Sequence, residues 1–229
     1  SSELEVVPAG RARELGFDRS MIMSYGQDDR VCAYTSLAAM LGTKAELERT
    51  ACCLLVDKEE IGSVGATGMQ SRFFENVVAE IISLQGDYTD LKLRRCLANS
   101  KMLSSDVNAG YDPLFADAFE KKNASFCGRG VVFSKFTGSR GKSGSNDANA
   151  EYIAKLRKIM DDNNVNYQMA ELGKVDVGGG GTIAYIMSLY GMEVIDCGVP
   201  ILNMHAPWEI ASKADVYEAK KCYDAFLKN

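Results

Sequence analysis

Segments with helical and strand-like hydrophobic spacing alternate along this chain, and that alternation constrains the fold more than any other feature. Apolar residues recur at helical spacing over Val31–Leu41 and Met69–Leu84, whereas Ala51–Val56 is a continuous apolar run typical of a short buried strand. The pattern continues with helices over Leu91–Ala98, Asn149–Met160, Thr182–Leu189 and Ala211–Leu227, and strands over Lys101–Ser105, Gly130–Phe133, Val165–Leu172 and Met192–Cys197. Strands alternating with helices predict an α/β fold with a parallel or mixed sheet covered on both faces.

Composition and charge exclude several classes of protein. The 229 residues are 46% hydrophobic and 25% charged, which excludes a disordered or collagen-like chain. The formal net charge of −5, with no basic stripe, argues against binding to nucleic acid or to an anionic membrane. The longest apolar run, Ala51–Val56, is far shorter than the roughly 18 residues of a membrane span, and the N-terminal residues do not resemble a signal peptide. We therefore expect one soluble domain over residues 1–229.

The cysteines indicate a reducing compartment. There are seven of them, an odd number, with Cys52 and Cys53 adjacent and no Cys-x-x-Cys pair. Such a set is typical of free thiols rather than of a disulfide framework or a zinc finger. The expected location is the cytoplasm.

Acidic residues and the single histidine follow predicted strands. Glu59 and Glu60 come shortly after one apolar run, Asp106 follows another, and His205 follows Met192–Cys197. A lone histidine is more often structural than a metal ligand, and adjacent acids are usually solvated surface charge. Ligands of open α/β sheets nevertheless bind beyond the carboxyl ends of the strands, so this placement favours a metal site.

Two glycine-rich segments are candidates for anion sites. Gly138–Ser143 lacks the first glycine of a phosphate loop, because that position falls on Phe136, and a flexible loop is the better interpretation. Gly178–Gly181 leads into Thr182, where helix-start amides could hold a carboxylate or oxyanion. A tight turn with Thr182 as the helix N-cap is an equal alternative.

Five short motifs together resemble one family. They are Asp28-Asp29-Arg30, Glu59-Glu60-Ile61-Gly62-Ser63, Ser104-Ser105-Asp106, Gly180-Gly181-Thr182-Ile183 and Gly198-Val199-Pro200-Ile201-Leu202-Asn203-Met204-His205. Each is weak alone, but they occur in the order found in the aspartyl aminopeptidase family, and the resemblance runs from about Val6 to the C-terminus. It implies a cytoplasmic dizinc metallo-aminopeptidase. The implied fold is a three-layer α/β/α sandwich around a mixed, mostly parallel sheet, as in zinc exopeptidases.

The resemblance also implies roles for individual residues. Asp28 would bridge two zinc ions, Glu60 and His205 would be the other ligands of one ion, and Asp106 would bind the second ion. Glu59 would be the general base that takes a proton from the attacking water. Zinc accepts carboxylate oxygen and imidazole nitrogen, so this ligand set is chemically consistent, although other divalent transition metals are alternatives.

Three further residues would contact substrate. Lys135 and Met204 resemble pocket residues of the family, and Thr182 opens the predicted helix after the glycines. For Lys135, a solvated side chain at a strand end is an equal alternative to substrate binding. For Met204, the alternative is packing against the core.

The sequence departs from the family pattern at positions that would complete the dimetal site. Relatives have a His-x-Asp motif early in the chain and a histidine where Ala109 stands, whereas this chain contains one histidine in total. The resemblance therefore implies a C-terminal catalytic half that lacks the N-terminal part and an inserted assembly domain. We expect a peptide substrate, homo-oligomers at full length, and little or no activity of the isolated chain. The rival hypothesis is a noncatalytic assembly or peptide-binding subunit with an incomplete dimetal site.

Overall fold

The computed structural model describes residues 1–139, 143–174, 176–177, 179–180 and 183–229. The described residues form eleven strands and six α-helices. The strands are β1 (Arg13–Leu15), β2 (Met21–Ser24), β3 (Lys101–Ser104), β4 (Asn108–Ala109), β5 (Val131–Ser134), β6 (Phe136–Ser139), β7 (Ser143–Asp147), β8 (Tyr167–Met169), β9 (Glu193–Gly198), β10 (Pro200–Leu202) and β11 (Glu209–Ser212). The helices are α1 (Gln27–Gly42), α2 (Phe73–Leu84), α3 (Asp90–Ala98), α4 (Ala150–Asp162), α5 (Ala184–Ser188) and α6 (Lys213–Leu227).

The central sheet has four strands in the order β3-β9-β5-β8. β3 pairs with β9 and β5 pairs with β8 in parallel, whereas β5 and β9 are antiparallel. Asp196 of β9 lies opposite both Ser104 of β3 and Ser134 of β5, so the C-terminal ends of β3 and β5 lie level with each other on the two sides of β9. The mixed α/β fold predicted from the alternation is confirmed.

Helices cover both faces of the central sheet. Neighbouring residues of a strand point to opposite faces, and on β9 both Val194 and Ile195 are buried. Ile195 packs with residues of α1, α4 and α6, including Leu156, and Val194 packs with residues of α3 and α5, including Leu97. Each fully buried aliphatic side chain of this kind contributes roughly 1.5–3 kcal/mol to folding. The result is a layer of helices, a sheet and a second layer of helices.

A second sheet carries the strands nearest to the predicted ligands. Its order is β1-β2-β11-β10-β4, and its pairs are antiparallel except for β10 with β4. Ser24 of β2 lies opposite Glu209 of β11. The connection from β2 into α1 and the connection from β10 to β11 therefore leave the sheet side by side.

The prediction of a strand over Ala51–Val56 is wrong. No strand forms there, and none of the described strands pairs with this segment. Leu55 is 53% exposed despite its apolar neighbours. An apolar run predicts burial, but a strand also needs a hydrogen-bonded neighbour, which this segment does not have in the described part of the chain.

Two further expectations are corrected. The loop expected over Gly138–Ser143 overlaps a hairpin, because Phe136–Ser139 pairs with Ser143–Asp147; residues 140–142 lie outside the described residues. The closing helix begins at Lys213 rather than Ala211, since Ala211 and Ser212 pair with β2. In the described ranges, no helix combines the length and apolar character that crossing a membrane requires.

Candidate metal centre

Three predicted ligands from distant parts of the chain meet at one point. Asp28 lies in the first turn of α1, Glu60 in a short 3-10 helix, and His205 in the loop between β10 and β11. His205 Nε2 is 2.9 Å from Asp28 Oδ2 and 3.2 Å from Glu60 Oε1. Each of the three offers a ligand atom within 4.8 Å of the others, so one metal ion could contact all of them.

A second group of ligand atoms shares Asp28. Asp28, Asp29 and Asp106 also bring carboxylate oxygens within 4.8 Å of one another. Asp28 and Asp29 have non-helical backbone angles at the start of α1, so the chain does not enter the helix smoothly there. The structure therefore brings together all four predicted ligands and adds Asp29, which the sequence analysis did not assign. Its adjacency to Asp28 was the only signal in the sequence.

The carboxylates of this cluster repel one another. Burial, followed by the charge of Glu60, raises the pKa of Asp28 to about 7, and His205 opposes the rise. Burial raises the pKa of Asp29 to about 8, although a hydrogen bond with Cys32 works against it. Burial and the charges of Asp29 and Glu59 raise the pKa of Asp106 well above its usual range. The protein surroundings alone favour protonated carboxyl groups here, whereas a bound cation would favour the ionised groups.

One oxygen in the cluster has no hydrogen-bond partner in the described part of the chain. Asp29 Oδ1 is buried and unpaired, whereas buried polar atoms are nearly always hydrogen-bonded. Carboxylate oxygens together with the imidazole nitrogen of His205 are donors that zinc accepts. The residues present therefore fit zinc.

Glu59 lies beside the predicted ligands without joining either group. It precedes Glu60 in the 3-10 helix and lines the same cavity of about 1030 Å³ as Asp28, Asp29 and Asp106. Burial and the neighbouring charge of Glu60 raise its pKa, and His205 opposes the rise. A carboxylate whose pKa moves toward neutrality is suited to accept and return a proton.

Glu209 contacts two of the predicted ligands through their main chain. Its side chain accepts hydrogen bonds from the backbone N–H of Asp28 (2.9 Å) and of His205 (2.8 Å). It lies at the start of β11 and is buried. Sequence reasoning missed this residue, and its only signal was an acidic residue shortly after His205.

The predicted substrate residues do not join the cluster. Lys135 is ion-paired with Asp147 beside the β6–β7 hairpin and does not line the cavity that holds the acids. Met204 is half-buried and packs against the core on the α1, α4 and α6 face, in agreement with the packing alternative. Thr182 lies outside the described residues, as do Gly178 and Gly181. Substrate binding by these residues stays a prediction.

Comparisons with known proteins agree with the motifs. A family model described as "Aminopeptidase I zinc metalloprotease (M18)" matches residues 1–227. A "Probable M18 family aminopeptidase 1" of Clostridium acetobutylicum is 66% identical over 229 residues, which are 100% of this chain and 49% of that protein. A protein with the same description from Thermotoga maritima is 45% identical over 229 residues, with 100% of this chain and 50% of that protein covered.

Solved structures show the same similarity. The crystal structure of aminopeptidase I from Clostridium acetobutylicum matches with a TM-score of 0.90 and 64% identity, covering 97% of this chain and 48% of that chain. The M18 aminopeptidase of Thermotoga maritima matches with a TM-score of 0.92 and 44% identity, covering 97% and 49% of the two chains. The chain thus spans about half the length of the relatives it matches. The resemblance carried by the motifs is confirmed, and the chain belongs to the M18 family of zinc metalloproteases, the aspartyl aminopeptidase family.

Proposed function

We propose that this chain supplies catalytic residues of a zinc-dependent aminopeptidase, which removes single N-terminal residues from peptides. The observation that carries the proposal is the shared position of Asp28. Its carboxylate belongs to one ligand group with Glu60 and His205 and to another with Asp29 and Asp106. A carboxylate shared by two groups of ligands can contact two neighbouring ions at once, which favours a two-ion site.

The proposed ligands divide between two sites. Asp28, Glu60 and His205 would hold one ion, and three protein ligands with one open position are typical of catalytic zinc. Asp28 and Asp106 would bind the second ion beside Asp29. The second group contains only carboxylates, which hold zinc less well than a set that includes imidazole. We propose that its histidine lies outside this chain.

Zinc bound at these residues would polarise the scissile carbonyl and lower the pKa of a water molecule. Glu59 takes the proton of the attacking water and returns it to the leaving amine. Burial of Glu59 and the charge of Glu60 support this role, because both raise the pKa of the Glu59 carboxyl. The noncatalytic alternative is not favoured, since Glu59 lines one cavity with Asp28, Glu60 and Asp106, and His205 contacts Asp28 and Glu60.

Partners and location are part of the same proposal. The substrate is a peptide with a free N-terminus. All seven cysteines are free thiols, which supports a location in the reducing cytoplasm.

A Saccharomyces cerevisiae structure that matches this fold with a TM-score of 0.81 and 23% identity is described as a dodecamer. We propose that the full-length protein is a homo-oligomer, which light scattering can test.

The test of activity uses the full-length protein that contains this chain. Unblocked dipeptides should lose their N-terminal residue, and N-acetylated versions of the same dipeptides should not. Removal of zinc by a chelator should abolish hydrolysis, and added zinc should restore it. Hydrolysis that continues after complete removal of metal would contradict the proposal, as would cleavage of the acetylated peptides at the same rate.

A further inference from the structure

Glu209 connects two loops that are far apart in the sequence. The carboxylate is buried, with 2% of the residue exposed, and its two oxygens have different partners. Oε2 accepts from the Asp28 N–H at 2.9 Å, and Oε1 accepts from the His205 N–H at 2.8 Å. Both donors belong to proposed ligands of the same ion, so one side chain fixes the main chain of both.

The backbone of the His205 loop needs such a partner. His205 has φ 64° and Asn203 has φ 63°, both in the left-handed region that residues with a Cβ seldom adopt. Such a conformation persists only where surrounding contacts hold it. The hydrogen bond from the His205 N–H to Glu209 is one of these contacts, and it is made at the ligand itself.

Glu209 is itself held firmly. Glu209 pairs with Ser24 where β11 and β2 lie side by side in the sheet. Its carbonyl oxygen accepts from Gln27 Nε2 at 3.0 Å, and the same amide group donates to Ile22 O at 2.8 Å. Gln27 directly precedes Asp28, so the two loops are joined by a main-chain acceptor as well as by the carboxylate.

We propose that Glu209 is a positioning residue, which sets the main chain of Asp28 and His205 so that Asp28 Oδ2 and His205 Nε2 face one metal ion. The inference rests on the proposed metal site. Groups that orient ligands typically change metal affinity by about 10- to 100-fold when they are replaced. Both carboxylate oxygens of Glu209 already accept from backbone N–H groups, so we assign it a role through the two ligands rather than in direct contact with the metal.

The chain provides a matched control in Asp215. This buried carboxylate also accepts from two backbone N–H groups, those of Gly128 and Gly130, each at 2.6 Å. Neither of these residues is a proposed ligand. Asp215→Asn therefore imposes the same chemical change as Glu209→Gln: an amide group replaces an oxygen, and at least one backbone N–H loses its acceptor.

The experiment measures zinc affinity and one amide signal in the 229-residue chain. Because His205 is the only histidine, selective ¹⁵N-histidine labelling gives a single backbone amide signal for it. We expect Glu209→Gln to weaken zinc binding by about 10- to 100-fold and to shift the His205 amide signal even without zinc. Asp215→Asn should lower the melting temperature while leaving both readouts unchanged.

A second variant guards against failure to fold. Glu209→Asp keeps the charge and both acceptor oxygens but withdraws them by one methylene group, and we expect zinc affinity between those of the wild type and Glu209→Gln. Wild-type zinc affinity in either folded variant would overturn the proposal. An unshifted His205 amide in folded Glu209→Gln would also overturn it. If the wild-type chain bound no zinc, the proposed metal site would fail, whereas the amide signal would still report on Glu209.

Discussion

Two regions of this molecule withdraw carboxylates from solvent in different ways. Asp215 is buried in the core and receives hydrogen bonds from two backbone N–H groups. The cluster of Asp28, Asp29 and Asp106 instead presents its carboxylates to one another, and Asp29 Oδ1 has no partner among the described residues. Burial raises the pKa of Asp215 too, but there the backbone donors oppose the rise.

The difference separates a structural carboxylate from one that serves a ligand. Where a charge stabilises the fold, the chain supplies donors for it, as Gly128 and Gly130 do for Asp215. Where several carboxylates face one another with few donors, as in this cluster, we propose that the missing partner is a cation. This contrast predicts opposite responses of the two regions to substitution, to pH and to zinc.

The largest effect is expected for Glu59, the acid beside the cluster that binds no ion in the proposal. Glu59→Gln in the full-length enzyme should lower turnover by at least about 100-fold, because the isosteric carboxamide cannot accept the proton. Zinc content, measured by elemental analysis, should stay near that of the wild type.

The matched control for Glu59 is Glu218→Gln. Glu218 is a buried glutamate that accepts from the Asn166 N–H, and it is not part of the site. Turnover of that variant should be close to wild type once folding is confirmed. Wild-type turnover of Glu59→Gln would remove Glu59 from the mechanism.

The cluster should make the metal-free chain less stable as pH rises. The pKa values of Asp28 and Asp29 are raised from 3.8 to about 7 and about 8 in the fold. Between about pH 4 and pH 8 the folded chain therefore binds more protons than the unfolded chain, and the free energy of unfolding falls as pH increases.

Zinc should oppose that loss. At a concentration 100 times its Kd, zinc should add about 2.7 kcal/mol, or roughly 5–10 °C in the melting temperature. Scanning calorimetry from pH 5 to pH 8.5, with and without zinc, measures both effects. A melting temperature that rises with pH in the metal-free chain would contradict the account. A melting temperature that zinc leaves unchanged would also contradict it.

Opposite signs are expected for two conservative substitutions. Asp215→Asn should destabilise the chain by roughly 1–3 kcal/mol, because a backbone N–H loses its charged acceptor. In the metal-free chain at pH 9, Asp29→Asn should instead stabilise the fold by about 1 kcal/mol, since it removes a charge that burial and the neighbouring carboxylates disfavour. Denaturant unfolding of both variants gives the comparison. Equal destabilisation by the two would show that the cluster is an ordinary buried carboxylate site.

The sequence predicted the sheet with helices on both faces and the residues that meet in the site. Alternating periodicity is a local signal, and the order of the five motifs indicated the family, whose resemblance implies Asp28, Glu60, Asp106 and His205 as ligands. The second sheet was not predicted, because strands such as Asn108–Ala109 are too short to carry a periodic pattern.

The residues around the predicted ligands could not be predicted from local sequence patterns either. Glu209 acts on Asp28 across 181 positions of sequence. Asp29 faces the cluster because of the backbone angles at the start of α1. For Ala51–Val56, composition predicted a strand, but pairing with another strand decides whether one forms.

The most direct test of the metal site is a calorimetric zinc titration of the 229-residue chain at neutral pH, compared with His205→Ala. The account predicts one tight equivalent in the wild type, held by Asp28, Glu60 and His205, and a loss of tight binding in His205→Ala because imidazole is the favoured zinc ligand of the set. Unchanged binding in His205→Ala, no tight binding in the wild type, or two tight equivalents would contradict it.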